Sequence, residues 1–182
     1  SDGAHLAWTS PADSERGTLH ILEVATGETS EVATGASPPL SWSSSGKYLA
    51  YSAATPGETT ILEVATDKKT STTGRMVAHR NAWIEIDGTE WLLTVLPNGA
   101  RLTPVGEDLD EDDEPRDLPL DGADSARALS DEYVLVTAGT GLDRTTTVFN
   151  TSDATIALEL HGESDVVATP AGDSLYVTVG SQ

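Results

Sequence analysis

The chain has 182 residues, a formal net charge of −20 from 30 acidic and 10 basic residues, and no cysteine. The lack of cysteine excludes disulfides, thiolate metal sites and cysteine nucleophiles. The acidic balance, without a cluster of basic residues, argues against a nucleic-acid partner because a phosphate backbone would be repelled. No apolar run approaches about 18 residues, so we expect no direct membrane insertion of this segment.

The predicted elements begin with a short strand at residues 6–8, and an internal repeat becomes visible after it. Residues 21–26, Ile-Leu-Glu-Val-Ala-Thr, recur identically at residues 61–66, which lie 40 positions further along the chain. Six consecutive identities at one offset are not expected by chance. The chain is therefore built on repeats, and their period decides the fold.

A second pattern carries the repeat along the whole chain. A turn precedes a short apolar strand five times, at the marker positions Gly3, Gly46, Gly88, Asp131 and Asp173. The markers are separated by 43, 42, 43 and 42 residues. A large apolar residue follows each marker by three positions, and we call these residues the marker column: Leu6, Leu49, Trp91, Val134 and Tyr176.

The best-preserved repeat predicts four antiparallel strands in chain order. Residues 40–43 and 48–52 form a hairpin, residues 60–65 form a third strand rich in β-branched residues, and residues 69–73 form a polar outer strand. Helical periodicity is absent. The sequence thus predicts an all-β fold: a β-propeller, or a propeller segment, of four-stranded antiparallel blades with a repeat of about 42 residues.

The register also predicts where the blades begin and end. Three full blades occupy residues 36–75, 76–120 and 121–162, and partial blades occupy residues 1–35 and 163–182. Because strands are missing at both ends, we expect a single propeller arc within a longer chain. The alternative is a closed ring of four blades, in which residues 166–169 supply the missing first strand of the first blade.

Large aromatic residues recur at fixed places of the repeat. Trp8 and Tyr51 share one column of the second strand, and Trp42 and Trp83 occupy nearly matching places in the first strand. A single blade cannot bury both of its faces without neighbours. We therefore expect these aromatic side chains to pack between blades rather than to bind a ligand.

Residues 40–51, Leu-Ser-Trp-Ser-Ser-Ser-Gly-Lys-Tyr-Leu-Ala-Tyr, resemble the repeat of TolB-type, WD-like propellers. In that family an apolar residue and Ser-Trp-Ser precede Pro-Asp-Gly, a lysine and a strand with an aromatic end. Here Ser44 and Ser45 stand where the family has Pro-Asp. The resemblance implies a propeller fold, but no activity, because this fold hosts many functions.

The charge pattern resembles that of proteins from haloarchaea that accumulate salt. Carboxylates are in excess along the whole chain, and only three of the ten cations are lysines, namely Lys47, Lys68 and Lys69. In molar salt the Debye length falls to about 3 Å, which screens the self-repulsion of such a chain. We therefore interpret the sequence as that of a halophilic, acidic protein.

Few residues form a candidate metal-binding or modification site. Asp108, Asp110 and Asp112 have the alternating spacing of a calcium loop, but Glu114 stands where that loop requires glycine, so a solvated acidic insertion is the competing interpretation. Asn150 begins a glycosylation sequon, Asn-Thr-Ser. No cofactor other than calcium is indicated.

The remaining polar residues do not assemble a predicted active site. Four histidines, His5, His20, His79 and His161, have no metal-ligand spacing, although His5 and His20 could be cross-strand neighbours. No Gly-x-Ser-x-Gly elbow of a serine hydrolase occurs. No catalytic residue is therefore assigned within this chain.

Two functions follow from these observations. The first is a non-catalytic propeller module that binds a protein partner or acts as a scaffold, outside the cell or on the surface of a haloarchaeon; the sequon and the resemblance favour the exterior. The second is the propeller domain of a larger enzyme, such as a prolyl-oligopeptidase-type serine peptidase, whose catalytic domain lies outside this chain.

Overall fold

A computed structural model of the chain describes residues 3–10, 16–77, 82–107, 109, 113–169 and 174–179. These residues form antiparallel β-strands joined by turns, with one 3₁₀ turn at Gly141–Asp143 and no α-helix among them. None of the described residues belongs to a helix that is long and apolar enough to cross a membrane. Two compact units divide the chain, Ser1–Ala78 and His79–Gln182.

The first unit contains a continuous antiparallel sheet in which β1 to β6 are paired in chain order. Its strands are β1 His5–Ser10, β2 Gly17–Glu23, β3 Thr29–Trp42, β4 Tyr48–Ser52, β5 Glu58–Glu63 and β6 Lys68–Thr73, followed by the short β7 Arg75–Met76. β3 is long because it pairs with β2 along its first half and with β4 along its second half. Its pairing with β4 is irregular between Ser37 and Leu40.

The second unit contains three antiparallel sheets, each paired in chain order. The first consists of β8 Trp83–Ile86, β9 Thr89–Leu96, β10 Gly99–Val105 and β11 Arg116–Pro119. The second consists of β12 Ala123–Ala128, β13 Tyr133–Ala138, β14 Thr145–Asn150 and β15 Ile156–His161. The third consists of β16 Ser164–Ala168 and β17 Leu175–Val179.

The identical hexapeptides fold into identical turns. After β2, the Thr26 hydroxyl donates to Glu23 Oε2 at 2.9 Å and accepts from the Glu28 amide at 3.2 Å. After β5, the Thr66 hydroxyl donates to Glu63 Oε2 at 2.5 Å and accepts from the Lys68 amide at 3.3 Å. The threonine therefore fixes the hairpin in both repeats, as side chains that bond to nearby backbone amides commonly do.

The apolar residues of each strand alternate between the two faces of its sheet, and the sheets are packed through these faces. In the first unit, Leu19 and Ile21 of β2 form one buried cluster with Leu49, Tyr51 and Leu62 of β4 and β5. We call the face that carries the marker column the leading face and the opposite one the trailing face. The trailing face of the β1–β2 hairpin thus packs on the leading face of β4–β5.

The second unit contains the same kind of interface. Leu135 and Val148, on the trailing face of β13–β14, form a buried cluster with Val166 of β16, and Leu175 of β17 packs against it. The leading face of β13–β14 is itself buried, since Val134, Val136 and Phe149 are all 0% exposed. Both faces of this inner sheet are covered, as the stacking of blades requires.

One part of the predicted register is wrong. The marker column aligned Tyr176 with Leu49, Trp91 and Val134, which are all buried, but the Tyr176 side chain is 65% exposed. Ala168 pairs with Leu175 as Ala128 pairs with Val134 in the preceding sheet, so Leu175 occupies the column. The last repeat is one residue shorter than predicted, and a shift of one residue moves every side chain of a strand to the other face.

The expected packing of the aromatic residues is confirmed in part. Tyr51 is 4% exposed within the core of the first unit, and Trp42 packs against that core. Trp8, which shares the column of Tyr51, is instead 40% exposed. No described sheet covers the leading face of β1–β2, so the packing of Trp8 between blades stays a prediction.

Candidate interaction surfaces

The histidines do not form a metal site in the described residues. His5 lies opposite Glu23 and stacks on Trp42 with a centroid distance of 6.0 Å, whereas His20 lies opposite Trp8 and stacks on it at 5.3 Å. Their strand positions place His5 and His20 on opposite faces, so the idea that they are cross-strand neighbours is wrong.

The other candidate ligands add no metal centre. His161 is exposed and lies 3.4 Å from Glu159, and His79 is outside the described residues. Across the part of the chain that the structure describes, no group of three or more histidine or acidic residues is arranged to hold a metal ion. The predicted calcium ligands Asp108, Asp110 and Asp112 also lie outside the described residues, so calcium binding there stays a prediction.

Asn150 ends β14 at the turn into β15. Its side-chain oxygen accepts hydrogen bonds from the Ser152 amide at 2.9 Å and the Ser152 hydroxyl at 2.8 Å. Thr151, the middle residue of the sequon, is 2% exposed, and its hydroxyl donates to the Asp131 carbonyl at 2.5 Å. The sequon is thus part of a well-bonded turn with a half-buried asparagine, and glycosylation stays a prediction.

The described residues of each unit line an open, acidic cleft. In the second unit a cleft of about 610 Å³ is lined by one cation, Arg144, and by Asp124, Glu163 and Asp165. In the first unit a cleft of about 650 Å³ is lined by Glu23, Glu28, Glu31, Asp67 and His5. Neither lining favours an anionic ligand, because carboxylates outnumber cations in both.

The leading face of the β1–β2 hairpin is an exposed apolar surface. Leu6 is 56% exposed and Trp8 is 40% exposed, and Val24, just beyond β2, is 51% exposed. Leu22 and His20, which pair with Leu6 and Trp8, lie on the same face. The remaining positions of this face are Ser10 and Thr18. We call it the front surface; β1 and β2 contribute no carboxylate to it, and Glu31 of the adjacent β3 lies directly opposite His20.

The trailing face of β16–β17 is the second exposed apolar surface. Val167 and Tyr176 lie directly opposite each other on the two strands and are 51% and 65% exposed. The one carboxylate on this face, Asp165, forms an ion pair with Arg127 and accepts from the Val166 amide at 2.9 Å. We call this face the rear surface; among the described residues of β16 and β17, the charge that it carries is paired with Arg127.

Comparisons with known proteins find the fold and no relative in sequence. No family model matches the chain, and no curated protein matches it in sequence. Many solved structures resemble it, and the following three are representative; all lie below the identity at which function could be inferred. Hsv2 of Kluyveromyces lactis matches with a TM-score of 0.62 and 15% identity, covering 97% of this chain and 55% of that one.

The second is TolB of Acinetobacter baumannii, with a TM-score of 0.52 and 13% identity, covering 96% of this chain and 46% of that one. The third belongs to a structural study of two prolyl endopeptidases, with a TM-score of 0.55 and 12% identity, covering 96% of this chain and 31% of that one. The chain thus spans about half the length of the first two. The fold is a TolB-type, WD-like β-propeller, as the repeat predicted.

Proposed function

We propose that the chain is a non-catalytic β-propeller module that binds a protein partner or acts as a scaffold in a halophilic archaeon, on the cell surface or outside the cell. The observation that carries the proposal is the pair of exposed apolar surfaces. Large exposed apolar patches on acidic, soluble surfaces are typical of sites that another protein covers. Leu6 and Trp8 at the front and Tyr176 at the rear supply the aromatic and aliphatic anchors that protein interfaces favour.

The halophilic part of the proposal is supported by charge. The −20 net charge would oppose compaction in dilute buffer and is screened at molar salt. The extracellular part is supported by the sequon at Asn150, which would be used only outside the cytoplasm.

A second candidate function is the propeller domain of a larger enzyme. The match to a structure from the prolyl endopeptidase study supports this candidate. It covers 31% of the matched chain and leaves the greater part of that chain unmatched. The sequence of the gene beyond residue 182 decides between the two: a Gly-x-Ser-x-Gly elbow with downstream acidic and histidine partners would favour the peptidase.

The binding function is tested by capture at high salt. Immobilised chain is incubated with extract and a chemical cross-linker in about 3 M KCl, where the repulsion is screened. We expect a partner that wild-type protein retains and the Trp8→Glu and Tyr176→Glu variants retain at least about tenfold less. The control is Leu142→Glu, which alters an exposed residue (73%) outside both surfaces. Equal recovery by all variants, or no partner together with hydrolysis of a peptide substrate, contradicts the proposal.

A further inference from the structure

The outer strand of the four-stranded sheet β12–β15 has an open edge. β15 pairs with β14 along one side, and no described strand pairs with its other side. Its residues Ile156, Ala157, Glu159 and His161 are exposed. A strand edge of this kind presents unpaired amide and carbonyl groups, which another strand can bind.

β15 lacks the residues that protect the other outer strands. β6 begins with Lys68 and Lys69, and β11 ends at Pro119. Lysine discourages strand addition by its charge, and proline does so because it has no amide donor. The sequence of β15, Ile-Ala-Leu-Glu-Leu-His, contains neither residue. The irregular part of its pairing with β14 is at Ala157, so residues 158–161 form a regular edge.

The hydrogen bonds to β14 show which backbone groups face the open edge. The Gly162 amide donates to the Arg144 carbonyl at 2.8 Å, just beyond the two strands. Because successive residues of a strand point their backbone groups to opposite sides, Leu160 faces β14 as Gly162 does. Glu159 and His161 therefore present their amide and carbonyl groups to the open edge.

The side chains along this edge are self-complementary. When two copies of β15 run antiparallel about Leu160, Glu159 of each copy lies opposite His161 of the other. Centring the pair on Glu159 would place two glutamates opposite each other, and centring it on His161 would place Glu159 opposite Glu163. Opposite charges directly across a strand pair stabilise it, and like charges destabilise it. The side chains therefore favour the pairing about Leu160.

The surroundings of these side chains support the pairing. Glu159 Oε1 lies 3.4 Å from His161 Nε2 within one chain, and the two side chains are 45% and 73% exposed. A histidine ring can donate a hydrogen bond to a carboxylate when neutral, and it adds a positive charge when protonated. β14, the strand beside β15, carries no ionisable side chain that would compete. On the opposite face of the sheet the two half-buried Leu160 side chains would meet on the axis.

We propose that the open edge of β15 is an interaction site at which a second copy of this chain adds its own β15, antiparallel and centred on Leu160. Glu159 of each copy exchanges both backbone hydrogen bonds with His161 of the other, which joins the two sheets into one. The contact is isologous, because both copies use the same strand. It uses neither the front nor the rear surface and does not depend on the proposed function.

The first test follows amide hydrogen exchange by NMR at pH about 6 in about 3 M KCl, which screens the repulsion between two acidic copies. Protein at about 50 µM is compared with protein at about 1 mM, a range that reveals weak association. We expect exchange of the Glu159 and His161 amides to slow at least about twofold at the higher concentration. The Leu160 amide, which faces β14, should change little.

The second test removes one outward amide. Glu159→Pro deletes a donor that faces the open edge, a position where an edge strand tolerates proline. By sedimentation equilibrium at about 1 mM in the same buffer, we expect the wild type to be dimeric and Glu159→Pro to be monomeric. Ser71→Pro is the matched control, because it makes the same change at an exposed, outward position of β6. It should associate like the wild type.

The third test measures the register. The chain has no cysteine, so Glu159→Cys and His161→Cys each carry a single thiol. Residues that exchange both hydrogen bonds have Cα atoms about 5.5 Å apart, which a disulfide can span. After mixing the two variants and oxidising them in air, we expect a covalent heterodimer. Each variant alone should remain largely without a covalent dimer.

Several results would overturn the proposal. A monomeric wild type at about 1 mM would do so, as would unchanged association of Glu159→Pro. Covalent dimers of Glu159→Cys alone or of His161→Cys alone would reject the pairing about Leu160. Circular dichroism of each variant checks that the β-sheet is retained. A monomeric wild type that still captures another protein would refute this inference and leave the proposed function standing.

Discussion

The scarce arginines of this chain join neighbouring strands and sheets. Arg101 of β10 donates to both carboxylate oxygens of Asp117 on β11, at 2.6 and 3.0 Å. Arg116 donates to the Thr151 carbonyl at 2.6 Å, and its guanidinium lies 4.2 Å from the centroid of the buried Trp91 ring. Bidentate and stacked geometries of this kind require arginine and are poorly served by lysine.

We predict that Arg101→Gln raises the pKa of Asp117. The Arg101 guanidinium, mainly through its hydrogen bond, lowers this pKa from the ordinary value of 3.8. Since the folded pKa is the lower one, the pair stabilises the fold above the ordinary pKa, and this contribution is lost as the pH falls through the lowered value. Because both groups are at the surface, we expect Arg101→Gln to lower the free energy of unfolding by less than about 1 kcal/mol.

The measurement is an NMR titration of the Asp117 side chain at constant high salt. Arg101→Lys is the matched variant, because it keeps the charge and removes the fork geometry, and we expect it to restore only part of the shift. An Asp117 pKa that is the same in wild type and Arg101→Gln would contradict this account of the pair.

At the scale of the strand, a side chain stabilises the fold only if a neighbouring sheet covers the face on which it lies. Leu6 and Leu49 are the same residue type in the same column of two consecutive repeats, yet they are 56% and 0% exposed. Leu49 is enclosed by the β2 residues Leu19 and Ile21, whereas the leading face of β1–β2 is bare. The same position in the repeat therefore contributes differently to the free energy of unfolding in the two repeats.

We predict that Leu49→Ala lowers the free energy of unfolding by about 2–5 kcal/mol, because it removes buried methyl groups and leaves a cavity. Leu6→Ala should cost less than about 0.5 kcal/mol in dilute, monomeric protein. Denaturant unfolding in constant high salt measures both, with Val134→Ala as a buried control in the second unit. Equal losses for Leu6→Ala and Leu49→Ala would show that the two faces are not differently covered.

At the scale of the whole molecule, net charge sets the conditions under which the sheets are stable. Thirty acidic and ten basic residues give −20, and the described ion pairs neutralise few of the carboxylates. Repulsion between the remaining charges extends about 10 Å at 0.1 M salt and about 3 Å at 1 M. Apolar burial is opposed by this repulsion in dilute buffer and less so in molar salt.

We predict that the melting temperature rises by on the order of 10 °C or more between about 0.1 M and 3 M KCl. Circular dichroism at 218 nm, a wavelength that reports β-sheet, follows the transition, and sucrose of similar water activity controls for solute exclusion. An unchanged melting temperature in KCl would contradict the halophilic part of the proposal.

The sequence by itself determined the period, the turns and the alternation within each strand, because these depend on residues close together in the chain. For this reason the sequence predicted the repeated Glu-Val-Ala-Thr turns and the shared strand position of Leu49, Trp91 and Val134, which are all buried. The propeller fold followed from the period, since a blade of four strands needs a stacked neighbour.

Only the tertiary structure decided which faces are covered and which register the last repeat adopts. Trp8 is exposed because burial depends on a neighbouring sheet, not on the strand that carries the residue. Leu175 replaces Tyr176 in the column because the pairing of β17 with β16 sets its faces, and the spacing of markers allows an error of one residue. Strand alternation is a local property, whereas coverage and register arise from contacts between residues that are distant in the sequence.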